Sequence, residues 1–253
     1  MNLNSKIIIL STQISPIGYS EIVEFYVDCI QNKKKGTINY ANIHTINIVD
    51  KNEDKTTILN SFDITHPDGI GIWLISKIFN LSPKFDRFNW TDHALSFLQT
   101  CQDYNWKIFF LGSSAETIRK AFELSKLSFP NLQISGFHDG YSDIDSPDLI
   151  KLINKDSPEI IWVGMGVPKQ EEWIHKYKES LDCKVFHAVG DVFSELAGRK
   201  QRGPQIIRKL GLEWLIRAVT NPRNYFNRYL LYDLPFFLYL SIQIIKKKIK
   251  RSD

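Results

Sequence analysis

Cysteine is scarce in this sequence, and its few copies are far apart. Cys29, Cys101 and Cys183 form no Cys-x-x-Cys pair, which argues against a disulfide framework and a zinc knuckle and fits a reducing compartment. The six histidines show no spacing typical of metal ligands. These residues therefore predict no bound metal and no cofactor.

Long hydrophobic runs are also missing. No apolar segment reaches the roughly 20 residues that cross a bilayer, and Met1–Lys6 lacks the apolar core of a signal peptide. The longest apolar run is Leu234–Ile245, and the basic segment Lys246–Arg251 follows it. This pattern predicts a helix that lies on a membrane surface without spanning the membrane.

Charge is distributed unevenly along the chain. Residues 199–253 contain 13 Lys or Arg and three acidic residues, a balance of +10. Because the whole chain has a formal charge of +4, residues 1–198 carry −6. An acidic body joined to a basic tail favours a phosphate-rich partner or an anionic surface.

The pattern of apolar residues predicts the α/β fold class. Short apolar segments such as Lys107–Leu111 alternate with segments of helical spacing such as Tyr19–Gln31. This alternation indicates βαβ units and a mostly parallel sheet with helices on both faces. Lys6–Thr12 is predicted as the first strand.

The strand signal ends after Gly198. We therefore predict a core over residues 1–198 and a basic, amphipathic helical appendage over residues 199–253. In the appendage, arginines are interleaved with large aromatic residues, and Arg suits diphosphate binding better than Lys. A solvated charged face is one alternative. Nucleic-acid binding is another, although no known nucleic-acid-binding signature accompanies the basic residues. The candidate diphosphate ligands are Arg202, Arg217, Arg223 and Arg228.

The most informative segment is a short apolar strand followed by a polar helix start. The strand is closed by Gly164 and Gly166, and Pro168 suits the first position of the helix. Lys169 and Gln170 then lie at the carboxyl end of a strand, where open α/β sheets bind ligands and free N–H groups favour an anion. We interpret these two residues as ligands for phosphate and sugar; a solvated helical turn is the alternative.

A second strand-to-helix turn carries an acidic residue, Asp68, within the sequence Pro-Asp-Gly-Ile-Gly. A carboxylate at a ligand-facing strand end can accept a proton from a sugar hydroxyl; the alternative is that Asp68 only caps the helix. Thr37 and Asn39 alternate on a short strand and are candidates to hydrogen-bond a polar ligand. For these two residues, a solvated strand end is the alternative.

Asp143 and Asp145 match the Asp-x-Asp pattern with which many transferases hold a divalent metal. Here the pair stands among Ser142, Ser146 and Pro147, which are typical of a loop before a helix. We therefore interpret the pair as part of a helix-capping loop and predict no metal site.

Taken together, these segments resemble the WecG/TagA/CpsF family of glycosyltransferases. The resemblance runs from about Gly36 to Leu240, and its pieces occur in the family's order. The most specific pieces are Pro168-Lys169-Gln170-Glu171 and Gly211-Leu212-Glu213-Trp214. Others are Thr37-Ile38-Asn39, Pro67-Asp68-Gly69-Ile70-Gly71, Thr91-Asp92, Phe110-Leu111-Gly112, His138-Asp139-Gly140-Tyr141 and Pro222-Arg223.

The resemblance implies a Rossmann-like core and a membrane-associating helical appendage. It implies an inverting, metal-independent transfer of an N-acetylmannosamine-type sugar or a hexose in bacterial surface polysaccharide biosynthesis. The donor would be a UDP-sugar and the acceptor a polyprenyl-diphosphate-linked sugar. The protein would be cytoplasmic and peripherally attached to the inner face of the cell membrane, with no nucleic-acid partner. A homo-oligomer is compatible with the sequence.

The resemblance also implies residue roles. Asp68 would be the general base, and Thr37, Asn39 and Gln170 would line the pocket. Appendage arginines would close over the site and meet the diphosphate, and Arg217, Arg223 and Arg228 match that description. The competing interpretation is a non-catalytic peripheral membrane protein that binds a nucleotide or polyanion.

Two positions depart from the family pattern. Trp90 stands where the family often has Gly, and we expect its ring to reshape the sugar or base pocket. The family usually has an acid at the position of Ser194, whereas here the acid is Asp191. Both departures bear on the identity of the donor more than on the class of reaction.

Overall fold

The computed structural model describes residues 5–199, 216, 219 and 233–249. Strands β1 (Ile7–Ile9) and β2 (Thr12–Ile14) form an antiparallel hairpin. The other six strands form one parallel sheet, which confirms the predicted α/β class. They are β3 (Gly36–Ala41), β4 (Ile64–Pro67), β5 (Lys107–Gly112), β6 (Gln133–His138), β7 (Ile160–Gly164) and β8 (Val185–Ala188), in the spatial order β4–β3–β8–β7–β5–β6.

Helices connect the strands and cover the sheet. They are α1 (Tyr19–Gln31), α2 (Ile43–Val49), α3 (Glu53–Asn60), α4 (Gly69–Ile78), α5 (Trp90–Asp103), α6 (Ala115–Ser128), α7 (Pro147–Asp156), α8 (Lys169–Tyr177) and α9 (Val192–Leu196). A further helix, Leu234–Ile249, lies near the end of the chain and is called the C-terminal helix below.

The two faces of the sheet form separate hydrophobic clusters, because successive strand residues point to opposite sides. On β7, Ile160 and Trp162 pack in the cluster that includes residues of α1, α5, α6 and α9. Ile161 and Val163 pack in the cluster that includes residues of α7 and α8. All four side chains are fully buried, as expected for a central parallel strand.

The N-terminal strand prediction was wrong in one respect. Lys6–Thr12 was expected to be a single strand, but the chain reverses at Leu10, which has a φ of 55°. The hairpin packs beside the edge strand β4, where the N–H of Ser15 donates to the carbonyl of Thr65 at 2.8 Å. An apolar residue in the left-handed region gives no turn signal in the sequence.

The C-terminal helix docks on the core through one face. Phe236 and Leu240 are buried in a cluster with residues of α2 and α4, among them Ile46 and Ile75. The opposite face exposes Leu234, Leu238, Tyr239, Ile242 and Ile245. Within the described part of the chain, no helix is long and apolar enough to cross a membrane. The four candidate arginines, Arg202, Arg217, Arg223 and Arg228, lie outside the described residues.

Candidate active site

An open cleft of about 320 Å³ lies at the carboxyl edge of the sheet. This is where open α/β sheets bind ligands, and the volume falls within the range of small-molecule sites. The segments that follow five neighbouring strands supply its walls. The lining residues include Tyr40 and Asn42 at the end of β3 and just after it, Ser113 after β5, Tyr141 after β6, Gly164 to Val167 at the end of β7 and after it, and Gly190 and Asp191 after β8.

The loops after β7 and β8 approach each other closely. A Cβ on Gly164 would lie 2.6 Å from the carbonyl oxygen of Gly190. Gly190 has a φ of 59°, and a Cβ there would also lie 2.7 Å from the hydroxyl of Tyr40. Only glycine fits both constraints, so these residues let the loops meet at the floor of the cleft.

Asp68 follows β4 at the same edge of the sheet, but it is not among the residues that line the cleft. Its backbone N–H donates to the carbonyl of Ala41 at 2.8 Å, one residue before the cleft residue Asn42. Asp68 occupies the N-cap position of α4, but its side chain makes no capping hydrogen bond. Instead, its Oδ1 accepts the backbone N–H of Trp90 at 3.3 Å. The capping interpretation therefore does not account for this carboxylate.

Lys169 borders the cleft at the start of α8. Its Nζ donates to the carbonyl of Gly140 at 2.6 Å and lies 5.3 Å from the ring centroid of Tyr141. Pro168 is the residue before the helix, one position earlier than predicted. Within the first turn, the N–H of Gln170 already donates to the carbonyl of Gly166, so fewer donors remain for an anion than the sequence suggested.

Gln170 is fully buried beneath the cleft. Its Oε1 accepts the backbone N–H groups of Gly166 at 3.3 Å and Gly190 at 3.2 Å. Its Nε2 donates to Oε1 of Glu171 at 2.8 Å. The structure thus places Gln170 between the loops after β7 and β8, and its side chain does not line the cleft.

Thr37 and Asn39 are not among the residues that line the cleft. Thr37 lies at the amino end of β3, where its Oγ1 donates to Oδ2 of Asp63 at 2.8 Å. Asn39 is fully buried, and its Oδ1 accepts the backbone N–H of Tyr40 at 2.7 Å. The solvated strand end considered for both residues does not occur.

The structure brings two other residues of β3 and its following loop to the cleft. Tyr40 and Asn42 are two residues apart, as Thr37 and Asn39 are, but they lie at the carboxyl end of β3. Asn42 caps α2 through Oδ1, which accepts the N–H of Thr45 at 2.9 Å, and its amide nitrogen is a donor suited to a ligand. The sequence could have indicated these residues by their position, because polar residues directly after a parallel strand lie at the edge of the sheet that binds ligands.

Trp90 lies behind the site. Its ring is buried, with its centroid 4.4 Å from that of His187 and 6.2 Å from that of His66. The ring packs into the core and is not among the residues that line the cleft, so its effect on the pocket stays a prediction. Burial lowers the pKa of His66 to about 4 and that of His187 well below its usual value. Both imidazoles are therefore neutral at pH 7.

The described cleft lining contains an acid, Asp191, but no lysine or arginine. A diphosphate bound here would need positive charge from neighbouring groups. Lys169 is adjacent, and the end of the chain also approaches: Oδ1 of Asp233, which precedes the C-terminal helix, lies 3.3 Å from Nδ1 of the lining residue His44.

Asp145 of the Asp-x-Asp pair has partners within the protein. Oδ1 of Asp145 accepts the hydroxyl of Tyr177 at 2.7 Å and Nζ of Lys176 at 3.1 Å, and Ser146 caps α7. Within the described ranges, no group of three or more His, Cys, Asp or Glu residues is arranged to hold a metal ion.

Comparison with known proteins gives one family and named relatives. The model of the glycosyl transferase WecG/TagA/CpsF family matches residues 7–252. A Bacillus spizizenii protein is 32% identical over 168 residues, which cover 66% of this chain and 65% of that protein. A Staphylococcus aureus protein is 30% identical over 212 residues, covering 84% and 81%. Both are named N-acetylglucosaminyldiphosphoundecaprenol N-acetyl-beta-D-mannosaminyltransferase. The matched region spans just under two thirds of the Bacillus relative.

Proposed function

Because this chain belongs to the glycosyl transferase WecG/TagA/CpsF family, we propose that it transfers a sugar from a UDP-sugar to a polyprenyl-diphosphate-linked sugar. The acceptor class follows the names of the relatives, which act on an N-acetylglucosaminyldiphosphoundecaprenol. The donor is an N-acetylmannosamine-type sugar or a hexose. The UDP part of the donor is supported by the cleft at the carboxyl edge of the sheet.

The observation that carries the proposal is the setting of Asp68. The Asp68 carboxylate stands at the N-cap position of α4 but does not cap that helix, and its Oδ1 accepts the backbone N–H of Trp90 at the start of α5. It lies at the ligand edge of the sheet, beside Asn42. In the proposed reaction, Asp68 removes the proton from an acceptor hydroxyl as its oxygen bonds to the anomeric carbon. The bond from that carbon to the UDP oxygen breaks on the opposite face, which inverts the configuration.

The departing diphosphate is stabilised without a metal in this proposal. Lys169 at the edge of the cleft supplies one positive charge, and the arginines of residues 199–253 supply more. The contact between His44 and Asp233 supports an appendage that reaches the cleft.

We further propose that the C-terminal helix brings the enzyme to the cytoplasmic face of the membrane, where a polyprenyl acceptor resides. Its outward face presents Leu234, Leu238 and Ile242 to solvent, and a basic segment begins at Lys246 within the same helix. An apolar helical face with a basic flank is typical of reversible attachment to anionic bilayers.

The direct experiment incubates the full-length protein with a panel of UDP-sugars and purified polyprenyl-diphosphate-GlcNAc, with EDTA present. We expect UDP release with one donor class, only when the acceptor is added. Binding of UDP-sugars without acceptor-dependent release would favour the non-catalytic nucleotide-binding alternative. Activity lost in EDTA and restored by a divalent cation would contradict the metal-independent mechanism.

A further inference from the structure

The amide of Gln170 has its partners inside the protein. Its oxygen accepts the N–H groups of Gly166 and Gly190, and its nitrogen donates to Glu171. The two glycines belong to different loops, the first after β7 and the second after β8, and both line the cleft. One amide oxygen therefore ties together the two loops that form the floor of the site.

Glu171 and the two glycine N–H groups together determine which way this amide points. A reversed amide would place its NH₂ group against two N–H donors and its oxygen against a carboxyl oxygen, and all of these contacts are unfavourable. Glu171 is itself buried at 2% exposure, on the inner face of α8. Burial raises the pKa of Glu171 to about 7. Burying an acid in this way costs free energy of folding, which argues for a specific role of Glu171 in the site.

We propose that Glu171 is a positioning residue of the cleft, which holds the Gln170 amide in the orientation that fixes the loops after β7 and β8. Asn39 of β3 lies beside the Glu171 carboxyl, but neither Nδ2 of Asn39 nor Oε2 of Glu171 has a hydrogen-bond partner among the described residues. The inference rests on the proposed function for the identity of the ligand, a uridine diphosphate.

This role differs from direct recognition of a sugar by Gln170. If Gln170 touched the sugar, its substitution would alter the discrimination among donors. If Gln170 only fixes the loops, its substitution would lower the affinity for UDP and for every UDP-sugar by the same factor. Gln170 would also act together with Glu171, so that removing either residue would have the effect of removing both.

The first test measures amide hydrogen exchange of the full-length protein without ligand. The variants are Glu171→Leu and Gln170→Met, which remove the hydrogen bond from either end, and Glu171→Gln, which resembles the protonated acid. Glu172→Leu, at an exposed position in the same turn, is the matched control. We expect peptides spanning residues 164–168 and 188–192 to lose protection at least about tenfold in the first two variants only. Wild-type protection of both loops in either folded variant would overturn the proposal, as would a failure of Glu171→Gln to retain protection.

The second test measures UDP affinity and the KM and kcat for the best UDP-sugar. We expect Kd and KM to rise about tenfold in Glu171→Leu and in Gln170→Met, with no further rise in the double variant and kcat nearly unchanged. Additive effects, or a change in donor preference in Gln170→Met, would show that Gln170 contacts the ligand directly. A wild-type protein that does not bind UDP would refute the proposed donor, whereas the exchange experiment would still decide the role of Glu171.

Discussion

The backbone N–H of Trp90 donates to Oδ1 of Asp68 at 3.3 Å, which joins the start of α5 to the turn before α4. The N–H of Gly69 strengthens the same junction by donating to the carbonyl of Phe88 at 2.8 Å. The carboxylate is thus oriented by the main chain, while the Trp90 ring packs in the core. In the proposed mechanism, a base oriented in this way needs no reorganisation when the acceptor arrives.

Asn42→Asp tests the assignment of the cleft wall after β3. Aspartate retains an oxygen that can cap α2, so the melting temperature should change little. The amide donor is lost and a negative charge faces the diphosphate, so kcat/KM should fall by about 10–100-fold.

Thr37→Val is the matched control for that substitution. It removes the hydroxyl bonded to Asp63 and should destabilise the protein by about 1–3 kcal/mol, with kcat/KM unchanged at a temperature where the protein is folded. If Thr37→Val lowers kcat/KM while Asn42→Asp does not, then the ligand contacts the amino half of β3.

The buried histidines predict acid sensitivity. The pKa of His66 falls from an ordinary value of 6.5 to about 4 on folding, and that of His187 also falls, because both are buried. The unfolded chain therefore binds more protons as the pH drops below 6.5, so stability is lost from there down towards pH 4. Melting temperatures of wild type and His66→Gln, measured over that range, should show a shallower acid limb in the variant. If the melting temperatures of the two proteins changed in parallel with pH, the buried His66 would not be a source of the acid sensitivity.

The ionisation of Glu171 has the opposite effect on stability, because it destabilises the fold as the pH rises. The pKa of Glu171 rises from an ordinary value of 4.5 to about 7 on folding, because it is buried, so its ionisation opposes folding as the pH rises between those values. The melting temperature of Glu171→Gln relative to wild type should therefore increase from pH 4.5 to pH 7 and level off above it. A pH-independent difference would show that the carboxyl titrates normally.

The outer face of the C-terminal helix predicts vesicle binding. Leu238→Gln with Ile242→Gln removes two exposed apolar side chains. This should weaken binding to anionic vesicles at least about tenfold, since a buried aliphatic side chain contributes about 1.5–3 kcal/mol. The matched control is Leu127→Gln with Leu152→Gln, which are exposed on α6 and α7. Equal loss in both double variants, or no loss in either, would contradict a specific membrane face.

The layered architecture could be predicted because strands such as β7 and helices such as α1 have clear apolar periodicities. The hairpin could not, because Leu10 reverses the chain in a conformation that its residue type does not signal. Thr37 and Asn39 were chosen by alternation and by the family resemblance, and alternation is the same at both ends of a strand. In the parallel sheet, the ligand edge lies at the carboxyl end of β3, at Tyr40 and Asn42. Burial of Gln170 and Glu171 in the first turn of α8 likewise depends on tertiary packing.

The central claim is that Asp68 is the base in a sugar transfer, and Asp68→Asn tests it most directly. The amide introduced by this substitution retains an oxygen able to accept the Trp90 N–H, so folding and UDP-sugar affinity should match wild type. Asp156→Asn, an exposed position at the end of α7, is the control. In single-turnover transfer to polyprenyl-diphosphate-GlcNAc, we expect Asp68→Asn to lose about 10²–10⁴-fold in rate. A folded Asp68→Asn protein that transfers sugar at the wild-type rate would contradict the account.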